Sequence, residues 1–155
     1  MPSRRADLTE TVAVARPIVE RIVWATVATA GADGEPRTRI MHPVWFWEGE
    51  VPTALISARR TPVKVSHLEQ NPSISCYYWD PAHDTVAVEG RTSWVPPERV
   101  ADAWERVAAP EPPVGFDPAM IWPDGPTDPG CGFLEVVAHR ILATPAAREG
   151  LLWSA

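Results

Sequence analysis

Short segments rich in β-branched and aromatic residues recur along this chain, and they limit what it can fold into. They lie at residues 24–29, 37–47, 53–57, 73–79, 85–94 and 131–143. Segments of this length, bounded by Gly, Pro, Asn and Asp, are typical of strands. The Asp33-Gly34 turn predicts that the first two form an antiparallel hairpin. Mostly consecutive strands with few intervening helices predict a mainly β fold, namely a six-stranded antiparallel barrel with peripheral helices.

Helices are expected in front of the strands and between them. Apolar residues at helical spacing predict a helix over residues 7–22, with Pro17 as a point where it ends or kinks. Pro96-Pro97 precede a second stretch of the same spacing and predict another helix there. Residues 110–130 are dense in Pro, Gly and Asp, so an irregular loop is expected. The chain length favours a single domain over residues 1–155.

Composition argues against several classes of protein. The formal net charge of −6 disfavours a general nucleic-acid binder. No apolar run of about 18 residues is present, so no membrane span is expected. The basic N-terminus lacks the apolar segment of a signal peptide, which favours a cytoplasmic location. Cys76 and Cys131 lack metal-ligand spacing, so no metal site is expected and both are interpreted as buried thiols.

The segment around Thr61 carries the clearest chemistry in the sequence. Thr61 suits an N-cap and Pro62 the first helical position, so a helix is predicted to begin here and to end before Asn71-Pro72. A helix N-terminus favours anions, because its N–H groups lack partners and the helix dipole is positive there. Lys64, the only lysine in the chain, lies in the first turn, and Arg39 would add a planar cation from a neighbouring strand. An anion site and an ordinary solvated basic turn are both consistent with this pattern.

Four motifs occur in a characteristic order. They are GEPRTRIMHPVW at residues 34–45, LIS at 55–57, KVSHLEQNPSIS at 64–75 and VAVEGR at 86–91. In this order they resemble the pyridoxamine 5′-phosphate oxidase-like superfamily of FMN-binding split barrels. The resemblance implies a six-stranded antiparallel split β-barrel and a homodimer with two cofactor sites at its interface. It also implies a flavoprotein, with FMN as cofactor, that acts as an oxidoreductase on a small organic substrate.

The resemblance implies cofactor contacts at particular positions. The phosphate would be held by Arg39, by the Ser57 hydroxyl and by Lys64, and the flavin ring would lie along the segment that follows Arg39. The full set of cofactor-binding residues implied in this way is Arg39, Ile40, Met41, His42, Val44, Ser57, Thr61, Val63, Lys64 and Thr85. No catalytic residue is identified.

The chain departs from the oxidases that give the family its name. Those enzymes have a basic residue where Val44 lies, and residues 147–153 do not match their arginine-containing C-terminal segment. The resemblance therefore does not imply oxidation of vitamin B6. The motif HPVWF at residues 42–46 is similar instead to reductases that use the deazaflavin analogue of FMN. A deazaflavin-dependent reductase and a flavin-binding protein without its own activity thus stay open as alternatives.

Overall fold

A computed structural model describes residues 2–155, which form a mixed sheet of nine strands and three α-helices. The strands are β1 (Ser3–Arg5), β2 (Ala25–Ala30), β3 (Pro36–Met41), β4 (Pro43–Phe46), β5 (Thr53–Ser57), β6 (Ser73–Trp79), β7 (Thr85–Trp94), β8 (Phe133–Thr144) and β9 (Gly150–Ser154). The helices are α1 (Leu8–Ile22), α2 (Pro62–Gln70) and α3 (Val100–Ala108). Short 3-10 turns cover Pro97–Arg99 and Pro118–Met120.

The sheet is built around the long strand β8. Neighbouring strands follow the order β1-β9-β8-β7-β6-β2-β3, and the β4–β5 pair joins through β5. On one edge of β8 the first half pairs with β5 and the second half with β9, while β7 runs along the other edge. All pairs are antiparallel except β1 with β9. In this arrangement β3, the residue after β5 and the end of β7 lie beside the helix α2 and line one cleft with it.

The predicted mainly β class is confirmed, and the predicted β2–β3 hairpin is present with Ala25 opposite Met41. The strand count differs from the predicted six, and the sheet is not wholly antiparallel. The predicted strand at residues 37–47 divides at His42, where the chain leaves β2 and joins β5. Pro43 has no N–H to donate to a ladder, which suits such a change of partner. The extra strands lie at the two ends of the chain, where β9 pairs with the second half of β8 and β1 pairs with β9.

Two apolar clusters fill the interior. The larger one lies between the sheet and α1, which runs unbroken through Pro17 and is capped by Asp7, whose carboxylate accepts from the Glu10 N–H at 2.8 Å. Inside it, Trp45 Nε1 donates to the Tyr78 hydroxyl at 2.8 Å. The smaller cluster lies under α3 and the loop at residues 110–130. The sheet therefore buries both of its faces in part, and the irregular loop contributes to one of them.

The loop is anchored by Trp122. Its side chain is 1% exposed, and its ring centroid lies 5.8 Å from that of Phe133. The loop is irregular as predicted, apart from the turn at Pro118–Met120. Trp122 thus packs against its own sheet.

Gly90 marks a bulge in β7. The register with β8 shifts between Glu89 and Gly90, and a Cβ on Gly90 would lie 2.5 Å from the Val137 carbonyl oxygen. Only glycine fits this close approach of two backbones.

Cys76 and Cys131 are buried free thiols, as expected, and burial raises the pKa of Cys76 to about 12. No group of three or more His, Cys, Asp or Glu residues within residues 2–155 is placed to hold a metal ion. Over the same range, none of the helices has the length and apolar character needed to cross a membrane.

Candidate functional site

A cleft opens between one face of β3 and one face of α2. Its walls are Arg37, Arg39 and Met41 from β3, and Lys64, His67 and Leu68 from α2. The β3 residues share a face because side chains alternate along a strand, and the α2 residues do so because three- and four-residue spacings align on a helix. The space between the walls is about 720 Å³, including the part open to solvent.

Apolar side chains form the floor of the cleft. They come from the sheet and from the residues that follow β5, and they are Val27, Ala58, Ile74, Trp94 and Leu134. No residue of α2 is fully buried. Leu68 packs, partly buried, against the larger apolar cluster, while Lys64 and His67 stay exposed on the cleft wall. Apolar residues on this floor and cations on the walls suit a ligand with an apolar body and an anionic end.

The helix α2 begins and ends where the sequence predicts. Thr61 is its N-cap, and its Oγ1 accepts a hydrogen bond from the Lys64 N–H at 3.3 Å. Pro62 occupies the first turn, and Asn71 follows the last helical residue. The cap fixes the start of the helix, and this places the Lys64 side chain on the cleft wall.

Arg39 is held in position by a hydrogen bond across the β2–β3 hairpin. Its Nη1 donates to Thr29 Oγ1 at 2.7 Å. Among the described residues, no carboxylate lies within ion-pair distance of Arg39 or Lys64. Both cations are therefore available to an anionic ligand, in a chain whose net charge is −6.

The structure brings three of the predicted cofactor residues together in the cleft, namely Arg39, Met41 and Lys64. Two others lie on the same elements but turn away from it. Ile40 projects from the opposite face of β3 and is 65% exposed, and Val63 on α2 is also exposed. Thr61 contributes to the cleft only indirectly, because it caps α2 and so fixes the position of Lys64.

The remaining predicted residues lie elsewhere. Val44 is fully buried in the smaller apolar cluster. Ser57 ends β5 next to Ala58 of the cleft floor, and its Oγ is buried without a hydrogen-bond partner. Thr85 begins β7, whereas the cleft contacts the other end of that strand at Trp94. The alternation of side chains along β4 and β5 turns Val44 and Ser57 away from the cleft. The length of β7 separates Thr85 from it.

His42 lies beneath the irregular loop rather than in the cleft. Its Nε2 is 2.8 Å from the Val114 carbonyl oxygen, and its ring centroid lies 5.2 Å from that of Trp24 and 4.8 Å from that of Phe116. Burial lowers the pKa of His42, and the Val114 carbonyl opposes this only in part. The histidine therefore ties the loop to the junction of β3 and β4.

Among the lining residues that sequence reasoning missed, three have basic or aromatic side chains: Arg37, His67 and Trp94. Two of them had a detectable signal. Arg37 lies two positions before Arg39 on the same strand, and His67 lies three positions after Lys64 on the same helix. Trp94 carried no such signal, because a strand tryptophan is usually part of a core or an interface.

The strand order, the helix after β5 and the cleft beside it define a class of protein, a small mainly β protein with one ligand-sized cleft at the edge of its sheet. A comparison with family profiles gives the particular family. The profile described as pyridoxamine 5′-phosphate oxidase matches residues 12–144, which is most of the chain. The chain belongs to the pyridoxamine 5′-phosphate oxidase family.

Solved structures agree with this fold. A protein from Clostridium acetobutylicum, described as related to general stress protein 26 and as a member of the pyridoxinephosphate oxidase family, has a TM-score of 0.74 at 17% identity, with 96% of each chain covered. A protein from Nostoc punctiforme, described as pyridoxamine 5′-phosphate oxidase-related and FMN-binding, has a TM-score of 0.57 at 14% identity, covering 92% of this chain and 84% of that one.

A third similar structure is described as a heme-binding protein from Mycobacterium smegmatis. It has a TM-score of 0.68 at 14% identity, and the match covers 97% of this chain and 59% of that one. None of the curated proteins matches this chain. At these levels of sequence identity the similarity shows only a shared fold. The ligand is therefore proposed from the side chains that line the cleft.

Proposed function

We propose that this chain binds a flavin-type cofactor, FMN or its deazaflavin analogue, through the cofactor's phosphate in the cleft between β3 and α2. The observation that carries the proposal is that Arg39 and Lys64 line one cleft with an apolar floor, and that neither has a carboxylate partner among residues 2–155. A guanidinium and an ammonium make strong charge-assisted hydrogen bonds to phosphate. An aromatic ring system finds apolar surface on the same floor. The side chains present therefore fit the cofactor.

The roles follow from where each group lies. Arg39 and Lys64 would hold the phosphate, and Met41 and Trp94 would contact the ring. Ser57 is a further candidate, because its buried hydroxyl has no partner within the described chain. His42, Val44, Thr61 and Thr85 present no free side chain to this cleft, so any contact from them would come through the backbone or from a second copy of the chain.

We also propose a homodimer in which each cofactor site is completed by the second chain. Exposed apolar side chains support this, since Ile40 and Tyr77 flank Thr26 in one cross-strand row over β3, β2 and β6. Trp24, which directly precedes β2, and Trp79, which ends β6, are also largely exposed. Apolar surface of this kind favours burial against a partner. The change of partner at His42, from β2 to β5, supports a split barrel as the framework.

The activity proposed is that of an oxidoreductase acting on a small organic substrate. When bound, a flavin ring supplies hydride transfer, and the protein supplies binding and orientation. Val44 is buried and apolar where the name-giving oxidases carry a basic residue, so oxidation of vitamin B6 is not proposed. A flavin-binding protein without its own activity is the alternative, because none of the described residues has been assigned as an acid or base for a substrate.

Absorbance and titration test the proposal. The freshly purified protein is examined for a flavin or deazaflavin spectrum and is then titrated with each cofactor. Lys64→Ala should weaken binding about ten- to a hundredfold, because a charge-assisted contact contributes roughly 1.5–3 kcal/mol. Arg91→Ala, an exposed change on β7 outside the cleft, is the matched control. Failure of both cofactors to bind at micromolar concentration would overturn the proposal.

A further inference from the structure

A second groove lies where β3 ends, on the opposite face of the chain from the cleft. Met41 lines the cleft and the next residue, His42, lines the second groove, because side chains alternate along an extended chain. The second groove encloses about 1020 Å³, including the part open to solvent. The end of α1 and the irregular loop form its other walls, with Trp24, Phe116 and Met120 among them. It shares no lining residue with the cleft.

Aromatic rings line this groove. The ring of His42 lies between those of Trp24 and Phe116, with centroid distances of 5.2 Å and 4.8 Å. Burial lowers the pKa of His42, so its ring is uncharged at neutral pH. Trp24 is 59% exposed and Met120 is 81% exposed, although side chains of this kind are usually buried to a large extent. The groove therefore has the aromatic and apolar lining that is typical of a ligand site.

The backbone holds both aromatic walls in place. On the loop side, the Phe116 N–H donates to the Val107 carbonyl oxygen of α3 at 3.3 Å. On the other side, Val23 lines the groove and directly precedes Trp24, and it has a φ of 69°. This conformation is a strained one for a β-branched residue. Such strain persists only where the surrounding structure imposes it, and it is concentrated at functional sites. The groove is thus formed before any ligand enters.

The charged side chains around the groove are mainly acidic. The Arg21 guanidinium lines it and is shared by two carboxylates, with Nη2 2.6 Å from Asp80 Oδ2 and 2.8 Å from Asp84 Oδ2. Asp117 also lines the groove and is exposed, and none of the described basic side chains lies within ion-pair distance of it. One guanidinium is therefore set against three carboxylates. This balance has the opposite sign to that of the cleft walls.

We infer that the second groove binds an organic cation, a compound with an alkylated ammonium group on an apolar body. The faces of Trp and Phe rings attract such a cation, because the ring face carries partial negative charge. Trp24 and Phe116 contact the ammonium group, Asp117 balances its charge, and Met120 contacts the apolar body. The inference goes beyond the proposed function and does not depend on it, because no residue of the cleft takes part.

Three compounds that share a benzyl group test this inference. Benzyltrimethylammonium, benzyl alcohol and phenylacetate carry a cationic, a neutral and an anionic head group. The full chain is titrated with each of them, and isothermal titration together with tryptophan fluorescence gives the affinities. Benzyltrimethylammonium should bind most tightly and phenylacetate least, because only the cation is attracted by both the rings and the carboxylate.

Substitutions in the groove should weaken binding of the cation selectively. Trp24→Leu should lower the affinity for benzyltrimethylammonium about two- to thirtyfold, and Trp24→Phe, which keeps an aromatic ring, should lower it less. Asp117→Asn should lower it about two- to fivefold and leave benzyl alcohol unaffected. Asparagine still accepts the Ala119 N–H that Asp117 Oδ1 accepts at 2.9 Å, so the local turn is kept. Asp124→Asn, an exposed change on the same loop outside the groove, is the matched control.

Two results would overturn the inference directly. One is that benzyltrimethylammonium binds no more tightly than benzyl alcohol does. The other is that Trp24→Leu and Asp117→Asn, shown to be folded by circular dichroism, both bind the cation with the native affinity. Binding of the cation by a chain that binds no flavin would leave the inference intact and would overturn the proposed function alone.

A second copy of the chain is the rival occupant of the groove, because Trp24 also belongs to the exposed apolar surface of the proposed homodimer. Light scattering at the concentrations of the titration separates the two. A native dimer that binds no cation and that Trp24→Leu dissociates would show that the groove is an interface, and this would overturn the inference. A molecular mass that Trp24→Leu leaves unchanged, with weaker binding of the cation, supports it.

Discussion

Arg39 Nη1 donates to Thr29 Oγ1 at 2.7 Å, which ties the guanidinium of β3 to the adjacent strand β2. Because both residues line the cleft, this bond holds a cation toward its interior. Thr29→Val keeps the shape of the side chain and removes the acceptor. We expect it to weaken binding of FMN about two- to tenfold, in keeping with the loss of a hydrogen bond of about 0.5–1.5 kcal/mol.

Isothermal titration with FMN measures the effect of Thr29→Val. Thr38→Val is the matched control, since Thr38 is exposed on the opposite face of β3. Equal affinity of Thr29→Val and the native protein would show that Arg39 does not depend on Thr29 for its position.

Ile40→Asp should shift the protein toward monomers. The side chain is 65% exposed in a row with Thr26 and Tyr77, and a carboxylate placed there would have to lose its hydration to form an interface. Size-exclusion chromatography with light scattering measures the mass. Thr38→Asp, on the same face of the same strand, tests how far the interface extends. An unchanged dimer in Ile40→Asp would place the interface elsewhere.

His42 should make the protein less stable in mild acid. Burial lowers its pKa in the folded state, so the unfolded chain binds a proton more readily. This part of the free energy of unfolding is present above the usual pKa of about 6.5 and is lost as the pH falls from there through the lower native value. Urea unfolding at about pH 7.5 and at about pH 5 measures the loss of unfolding free energy.

His42→Asn should reduce that dependence on pH, and His83→Asn controls for the replacement of a histidine elsewhere in the chain. His83 is a suitable control because it lies in a turn with a φ of 66°, which asparagine tolerates well. The prediction fails if His42→Asn and the native protein lose the same free energy of unfolding between the two pH values.

Gly90→Ala should destabilise the fold by about 1–3 kcal/mol. The new Cβ would lie 2.5 Å from the Val137 carbonyl oxygen, which belongs to backbone and cannot move aside without disturbing the β7–β8 ladder. Denaturant unfolding at constant pH gives the difference. An unchanged midpoint would mean that the bulge can accommodate a methyl group.

Local patterns in the sequence predicted much of the fold. The bounds of β5, β6 and β7 agree with the predicted strands, because their alternation and flanking turn residues are local signals. Thr61 and Asn71 delimit α2 for the same reason, since capping acts within one turn. In contrast, β1 is only Ser3–Arg5, and it is a strand because β9 lies beside it. A segment so short has no pattern of its own.

The candidate site shows the same division. By itself the sequence determined that Lys64 lies at a helix start, that Arg39 lies on a strand, and that the chain has the motifs of its family. Only the tertiary structure decided which face of each element meets the other. The β2–β3 register and the placement of α2 bring Arg37 and His67 into the cleft and send His42 to Val114. Packing between distant segments sets these contacts, and a local pattern does not encode it.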